Sequence, residues 1–188
     1  EKEAKNDTVV KYWEKLAGVL TPLCKYYCAE TCVRITGDGV QVHGGAGFTE
    51  DYDAARLYRD ARITTIYDGT SQIQVLAAIG GIVQGMSGSG QLREYFNLEL
   101  ERADDAQMLQ KLYNLFDAIV SSYRALESDQ KEYYAEETVL ACARFWGGLL
   151  LDRSLRKLRG EALEKRRLLS REYNRESLGI LSGIQARM

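Results

Sequence analysis

The sequence predicts an all-α protein, and three observations support that fold class. The 188 residues include only one proline, and hydrophobic and charged residues make up 45% and 28% of the chain. Few helix breakers and many strong helix formers favour helix formation. Apolar residues also recur at three-and-four spacing, as in amphipathic helices. We therefore expect a helical bundle followed by a second helical bundle region.

Two helices are expected before the first glycine-rich loop. The first, over residues 8–20, would place Val9, Trp13, Leu16 and Leu20 on one face. Thr21 can cap a second helix and Pro22 suits its first position, so we expect a new helix from there to about residue 42.

The next segment alternates loops and helices. Asp53 is a candidate N-cap for a short helix, and Thr70 or Ser71 for a longer one. The β-branched run before Gly69 disfavours regular helix. The expected order is a loop over 43–53, a helix over 54–63, a connector over 64–69 and a helix through about residue 83.

The stretch "GMSGSG", residues 85–90, has the composition of a linker. Beyond it, apolar side chains at helical spacing predict long helices and then a last helix or pair. Gly147 and Gly148 indicate a close helix crossing. We therefore expect a helical domain over residues 1–84, a linker over 85–90 and a further helical region over 91–188.

Charge and termini limit the functional classes. A net charge of −2 gives no general attraction to nucleic acid or to anionic membranes. No apolar run reaches the ~20 residues of a membrane span. The first residues are charged and lack an apolar signal core, so we expect a cytoplasmic protein. Because the chain lacks an initiator Met, we also expect it to be a piece of a longer one.

Charge is uneven after the linker, because residues 153–175 hold nine basic residues against three acids. This segment could be a nucleic-acid surface or the charged face of a helix that pairs with the acids of residues 93–137. We favour pairing, because the basic residues alternate with leucines.

Cys24, Cys28 and Cys32 stand four residues apart and would line one helical face. Metal sites usually have closer cysteine pairs or histidine partners, and His43 is the only histidine. We therefore expect reduced thiols that pack in a helix crossing, and no metal site.

Two short segments could carry chemistry. The "GGAG" loop from Gly44 lacks the context of a dinucleotide fingerprint, so it could be a plain turn or a set of backbone N–H groups for a phosphate. Asp68 could simply cap a helix, or it could be a carboxylate at a chemical site, where Gly69 lets another molecule approach.

Both segments belong to a pattern that resembles a known family. "VQVHGGAGFTEDY" and "RLYRDARITTIYDGTSQIQ", within residues 40–74, are similar to the C-terminal domain of acyl-CoA dehydrogenases. The close resemblance covers residues 21–83 and implies a four-helix bundle. From the linker onward, the chain resembles the extra helical region of a longer bacterial subgroup.

The resemblance implies an FAD-dependent enzyme that removes an α-proton and a β-hydride from an acyl-CoA. Asp68 occupies the position of the usual glutamate base, and Gly69 the position next to the thioester. Further residues match segments that contact FAD: Gln41, Val42, His43, Gly44 and Gly45 across a subunit interface, and Thr70, Ser71 and Gln72 at a helix start. The implied partners are an electron-transfer flavoprotein and further copies of the chain in a homo-oligomer. The piece alone should be inactive.

The aspartate departs from the family pattern, because its side chain is one methylene shorter than that of glutamate. The substrate could sit deeper, or the base could lie on another helix. The chemistry could also be that of the nitroalkane-oxidising branch, which has aspartate at this position. A different class of function is a non-catalytic helical module that serves assembly.

Overall fold

The computed structural model describes the backbone of residues 2–188, and the side chains of residue 7 and of residues 9–188. That part of the chain contains eight helices and no β-strand, which confirms the all-α prediction. The helices are α1 (Lys2–His43), α2 (Gly45–Phe48), α3 (Ala54–Ile63), α4 (Ser71–Gly85), α5 (Gln91–Leu100), α6 (Ala106–Ala125), α7 (Ser128–Leu155) and α8 (Gly160–Arg187).

The first helix, α1, continues through Pro22 instead of beginning there, so the predicted break at Thr21 is wrong. Proline has no N–H for the carbonyl four residues before it, which typically costs ~3 kcal/mol. Burial offsets this cost, because one face of the helix enters the core on both sides of the proline. Its buried apolar residues include Leu16, Val19, Leu23 and Tyr26.

Helix α4 packs antiparallel along α1. Its first residue, Ser71, donates a hydrogen bond to Glu30, while Gly81 near its other end lies against Val19. The opposite side of α4 contacts α7 and places Ile82 in the core, fully buried. The N-terminal helices therefore reach the C-terminal ones through α4.

Helices α6, α7 and α8 pack against one another. A Cβ at Gly147 would collide with the Tyr173 hydroxyl, and one at Gly148 with the Asn174 side chain. These contacts confirm the close crossing expected at the glycine pair, and the neighbour is α8. The last helix is single and not a pair.

The turn between α4 and α5 has a fixed structure. Met86 is fully buried, and the Arg93 guanidinium donates to the backbone oxygens of Met86 at 2.8 Å and Ser87 at 3.1 Å. A flexible linker would leave such groups in solvent. The division of the chain into two domains at this turn stays a prediction.

Charged faces of the C-terminal helices pair as expected. Glu99 accepts from Arg156 at 3.1 Å and lies 3.7 Å from Arg153, and Arg167 pairs with Asp104 at 3.1 Å. The basic segment is thus partly neutralised by the acids that precede it. None of the described helices combines the length and apolar character that crossing a membrane requires.

Candidate functional site

The connector between α3 and α4 holds Asp68 in an unusual backbone conformation. Asp68 has φ 51° and Gly69 has φ 88°. Aspartate is among the few residues with a side chain that enter the left-handed region readily. Two hydrogen bonds close the turn: the Ser71 N–H donates to the Thr65 carbonyl at 3.1 Å, and the Gln74 side-chain amide donates to the Asp68 carbonyl at 3.0 Å. Asp68 is therefore an exposed residue on a turn whose backbone is fixed by hydrogen bonds.

Backbone conformation favours glycine at position 69, and space adds a smaller constraint. A Cβ there would lie 2.6 Å from Nε2 of Gln74, the atom that donates to the Asp68 carbonyl. The positive φ also disfavours any residue with a side chain. The structure therefore leaves backbone, and no side chain, next to the carboxylate-bearing residue.

The start of α4 presents backbone donors. The Thr70 hydroxyl accepts from the Ile73 N–H at 3.4 Å, so the prediction that Thr70 caps this helix is confirmed. The N–H groups of Gly69, Thr70 and Gln72 form no hydrogen bond with any described residue. Such groups at a helix start bind phosphates and other anions well.

Exposed apolar side chains flank this turn in the sequence. Five large ones on α3, the connector and α4 are 50–55% exposed: Ile63, Ile66, Tyr67, Ile73 and Leu76. Large exposed apolar patches in monomeric soluble proteins often mark binding surfaces. The surface around Asp68 therefore has the character of a binding face.

The second predicted segment lies at the C-terminal end of α1. Gln41, Val42 and His43 form the last helical residues, and all three are exposed. The His43 Nδ1 is 2.8 Å from the Gly39 carbonyl oxygen. Gly44, with φ 60°, and Gly45 have open space where a Cβ would stand.

The glycine-rich segment after α1 was expected to be a loop, but it contains the short helix α2. Gly47 explains the tight packing, because a Cβ there would lie 2.6 Å from the Val40 carbonyl oxygen. The N–H groups of Gly45 and Ala46 form no hydrogen bond with the described residues. Asp53 precedes α3 as expected, but its carboxylate accepts from Arg56 at 3.2 Å and caps no backbone N–H.

The structure does not bring the two predicted segments together. Ser71 contacts α1 at Glu30, whereas the other segment begins at Gln41 and lies at the end of that helix, around His43. At a rise of ~1.5 Å per residue, these positions are separated by roughly 20 Å along the helix axis. The two segments therefore cannot contact one small part of a ligand from within the same chain.

The three cysteines of α1 are exposed, so the prediction that they pack in a helix crossing of this chain is wrong. Cys142 is the buried cysteine, and burial raises the pKa of its thiol. Partial burial and the neighbouring Cys28 also raise the pKa of Cys24. Among the described residues, no group of His, Cys, Asp and Glu side chains could hold a metal ion.

Sequence reasoning missed two charged residues of α1 that contact the connector. Lys25 donates to the Thr64 carbonyl, and Glu30 accepts from Ser71. Their spacing in the sequence matches no motif, since the partners are about 40 residues away. No local pattern in the sequence signalled these contacts.

The N-terminal part of the chain is similar to a known protein domain. Residues 8–81 match the model of the acyl-CoA dehydrogenase C-terminal domain. Butyryl-CoA dehydrogenase of Syntrophomonas wolfei is 28% identical over 166 residues, which are 82% of this chain and 27% of that protein. The caffeyl-CoA reductase-Etf complex subunit CarC of Acetobacterium woodii is 42% identical over 62 residues, or 33% of this chain and 16% of that protein.

A solved structure shares the fold over most of the chain. The crystal structure of an acyl-CoA dehydrogenase complexed with FAD from Bacillus anthracis superposes with a TM-score of 0.69 at 19% sequence identity. The match covers 87% of this chain and 31% of that one. The chain thus spans about a third or less of the length of these similar proteins.

Proposed function

Because residues 8–81 match the model of the acyl-CoA dehydrogenase C-terminal domain, we propose that this chain is the C-terminal part of an FAD-dependent acyl-CoA dehydrogenase. The whole enzyme would introduce a double bond between the α- and β-carbons of an acyl-CoA thioester. The α-proton would go to a carboxylate, and the β-hydrogen would leave with its electron pair to N5 of the flavin. The isolated chain would be inactive, because it carries only part of the pocket.

The observation that supports this function is the turn at Asp68. An exposed carboxylate stands on a constrained backbone, and the adjacent Gly69 offers no side chain. A C–H next to a thioester is a weak acid, so its base must reach the proton closely and be shielded from water. The exposed apolar residues around the turn would supply that shielding once the substrate and the rest of the enzyme cover them.

The residues present fit the assignment of a flavin dinucleotide. Unpaired N–H groups at Thr70 and Gln72 suit an electronegative group at the start of α4, and those at Gly45 and Ala46 suit a phosphate. Gln41, Val42, His43, Gly44 and Ser71 complete the two proposed FAD-contacting segments. The bound flavin would supply the hydride acceptor, and the protein would orient the reacting atoms.

The separation of the two segments supports a role in different flavin sites. One end of α1 lies roughly 20 Å from the level of Ser71, which is compatible with a homo-oligomer in which the loop at Gly44 serves a neighbouring subunit. We propose an electron-transfer flavoprotein as the oxidant of the reduced flavin, and a cytoplasmic location. The name of the Acetobacterium woodii relative, which includes an Etf complex, agrees with that partner.

Asp68→Asn in the full-length protein tests the assignment. We expect the wild-type flavin to bleach when acyl-CoA is added without oxygen, and the variant to bleach at least ~100-fold more slowly, because general-base catalysis contributes about 10²–10⁴-fold. Stopped-flow absorbance of the flavin measures both rates. A variant that keeps the wild-type rate would remove Asp68 from the mechanism.

Asp60→Asn is the matched control, because Asp60 is exposed on α3 and pairs with Arg56 at 3.4 Å, away from the turn. Its bleaching rate should equal that of wild type. The aspartate at position 68 also keeps the nitroalkane-type alternative open. Oxygen-dependent peroxide formation with nitroalkanes, and no bleaching by any acyl-CoA, would support that alternative and contradict the proposed dehydrogenase.

A further inference from the structure

We propose that Lys25 and Glu30, on adjacent turns of α1, are positioning residues that hold the Asp68 turn in place for proton transfer. This inference rests on the proposed function. Neither residue lies in the turn itself. Both reach it from a helix that is anchored in the core on its other side.

Lys25 holds the beginning of the connector. Its ammonium group donates to the Thr64 carbonyl, at the residue where α3 ends. The same nitrogen lies 4.7 Å from the centre of the Tyr67 ring, within the range of a cation–π interaction. Tyr67 directly precedes Asp68, so one side chain contacts the connector at both its first residue and the residue before the carboxylate.

Glu30 holds the other end of the turn, where α4 begins. Its carboxylate accepts from the Ser71 hydroxyl, at the first residue of α4. The Ser71 N–H is also bonded to the Thr65 carbonyl at 3.1 Å. Ser71 is therefore fixed both to the connector and to α1, and Asp68 lies between the two points of attachment.

The two contacts restrict movement of the turn relative to α1, one at each end of the turn. A loop fastened only at its ends by helices α3 and α4 could shift whenever either helix moved along α1. Bonds from one rigid helix to both ends fix the turn relative to α1 itself. Because a displacement of ~1 Å in a reacting group can cost about 10²-fold in rate, such fixation would matter for catalysis more than for substrate binding.

The experiment uses the full-length holoenzyme with Lys25→Met, Glu30→Ala and Glu30→Gln. Methionine keeps most of the apolar stem and removes the donor, whereas glutamine keeps an acceptor for Ser71. We expect Lys25→Met and Glu30→Ala each to slow flavin reduction by ~10–100-fold at saturating acyl-CoA, with the substrate dissociation constant changed by less than about 3-fold. Glu30→Gln should recover most of the lost rate.

Hydrogen–deuterium exchange measures the turn independently of activity. Amides of residues 64–71 should exchange faster in Lys25→Met and Glu30→Ala than in wild type, with the exchange of α7 unchanged. Lys15→Met and Glu14→Ala are the matched controls, because both residues are exposed on α1 and form no hydrogen bond or ion pair with described residues. Both controls should match wild type in rate and exchange.

The outcomes separate this inference from the proposed function. Wild-type protein that is not reduced by any acyl-CoA would contradict the function, while faster exchange in the variants would still support the positioning contacts. Unchanged amide exchange at residues 64–71 would overturn the inference. So would a rate of flavin reduction within about 3-fold of wild type in a Lys25→Met and Glu30→Ala double variant. A loss confined to substrate affinity would also overturn it.

Discussion

Replacing Gly69 with alanine should destabilise the chain measurably, and the structure separates the cost into two parts. The first is conformational, because alanine would have to adopt φ 88°. Residues held in such sparsely populated regions cost of order 1–3 kcal/mol. The second is steric, because the new Cβ would lie 2.6 Å from the Gln74 amide nitrogen.

Relief of that contact requires the Gln74 side chain to move, which breaks its 3.0 Å bond to the Asp68 carbonyl. An ordinary hydrogen bond contributes ~0.5–1.5 kcal/mol net. The sum predicts that Gly69→Ala lowers the free energy of unfolding by about 1.5–4.5 kcal/mol. Urea unfolding followed by far-ultraviolet circular dichroism measures this as a shift of the midpoint at constant slope.

Gly80→Ala is the matched control, since Gly80 lies inside α4 with nothing within 4 Å of a new Cβ. It should stabilise the chain by ~0.5–1 kcal/mol, because alanine favours helix. In a Gln74→Ala background, Gly69→Ala should cost only the conformational part, because the bond between Gln74 and Asp68 is already absent there. If Gly69→Ala alone costs less than about 1 kcal/mol, the turn does not require the left-handed conformation that the structure assigns to it.

Two further predictions concern buried and charged groups. Asp152→Ala should lower the free energy of unfolding by about 2–5 kcal/mol in urea, because the buried Asp152 carboxylate accepts the N–H groups of Asp104 and Asp105, each at 3.1 Å. The Arg144 guanidinium holds the pKa of Glu176 below its usual value. The pair therefore stabilises the fold at pH values above the usual pKa of a glutamate, and this stabilisation is lost as the pH falls through the lowered pKa. Glu176→Gln should therefore weaken the fall in stability between about pH 5 and pH 3, as measured by urea midpoints across that range.

Each of these predictions has a surface control. Asp38→Ala removes an exposed carboxylate of α1 that has no hydrogen bond to any described residue, and should change stability by less than ~0.5 kcal/mol. Glu101→Gln removes an exposed carboxylate outside the ion pairs of the described chain, and should leave the acid dependence as in wild type. Equal effects of a variant and its control would contradict the corresponding prediction.

Local sequence patterns predicted those parts of the fold that depend on neighbouring residues. The short helix α3 has the predicted bounds, Thr70 caps α4, and the glycine pair of α7 marks a helix crossing. In each case the information lies within a few residues of the feature. Local pattern left Asp68 either as a helix cap or as a carboxylate at a chemical site, and family resemblance favoured the second interpretation.

Features that depend on distant contacts could not be predicted in the same way. The continuation of α1 through Pro22 depends on burial against α4, which outweighs the local preference for a break. The exposure of Cys24 depends on which face of α1 that packing selects. The contacts of Lys25 and Glu30 with the connector join residues 39 and 41 positions apart, so no short motif encodes them.

The turn at Met86 has a consequence for how the chain unfolds. Side chains on both sides of it, including Ile82 and Leu92, belong to one continuous apolar cluster with α6 and α7. Unfolding of the C-terminal helices would therefore remove the apolar contacts that support α4. The connector that carries Asp68 would lose its support together with α4. Mutations far along the chain, at the Phe116 and Phe145 stack for example, can thus weaken the proposed catalytic turn through cooperative loss of structure without touching it.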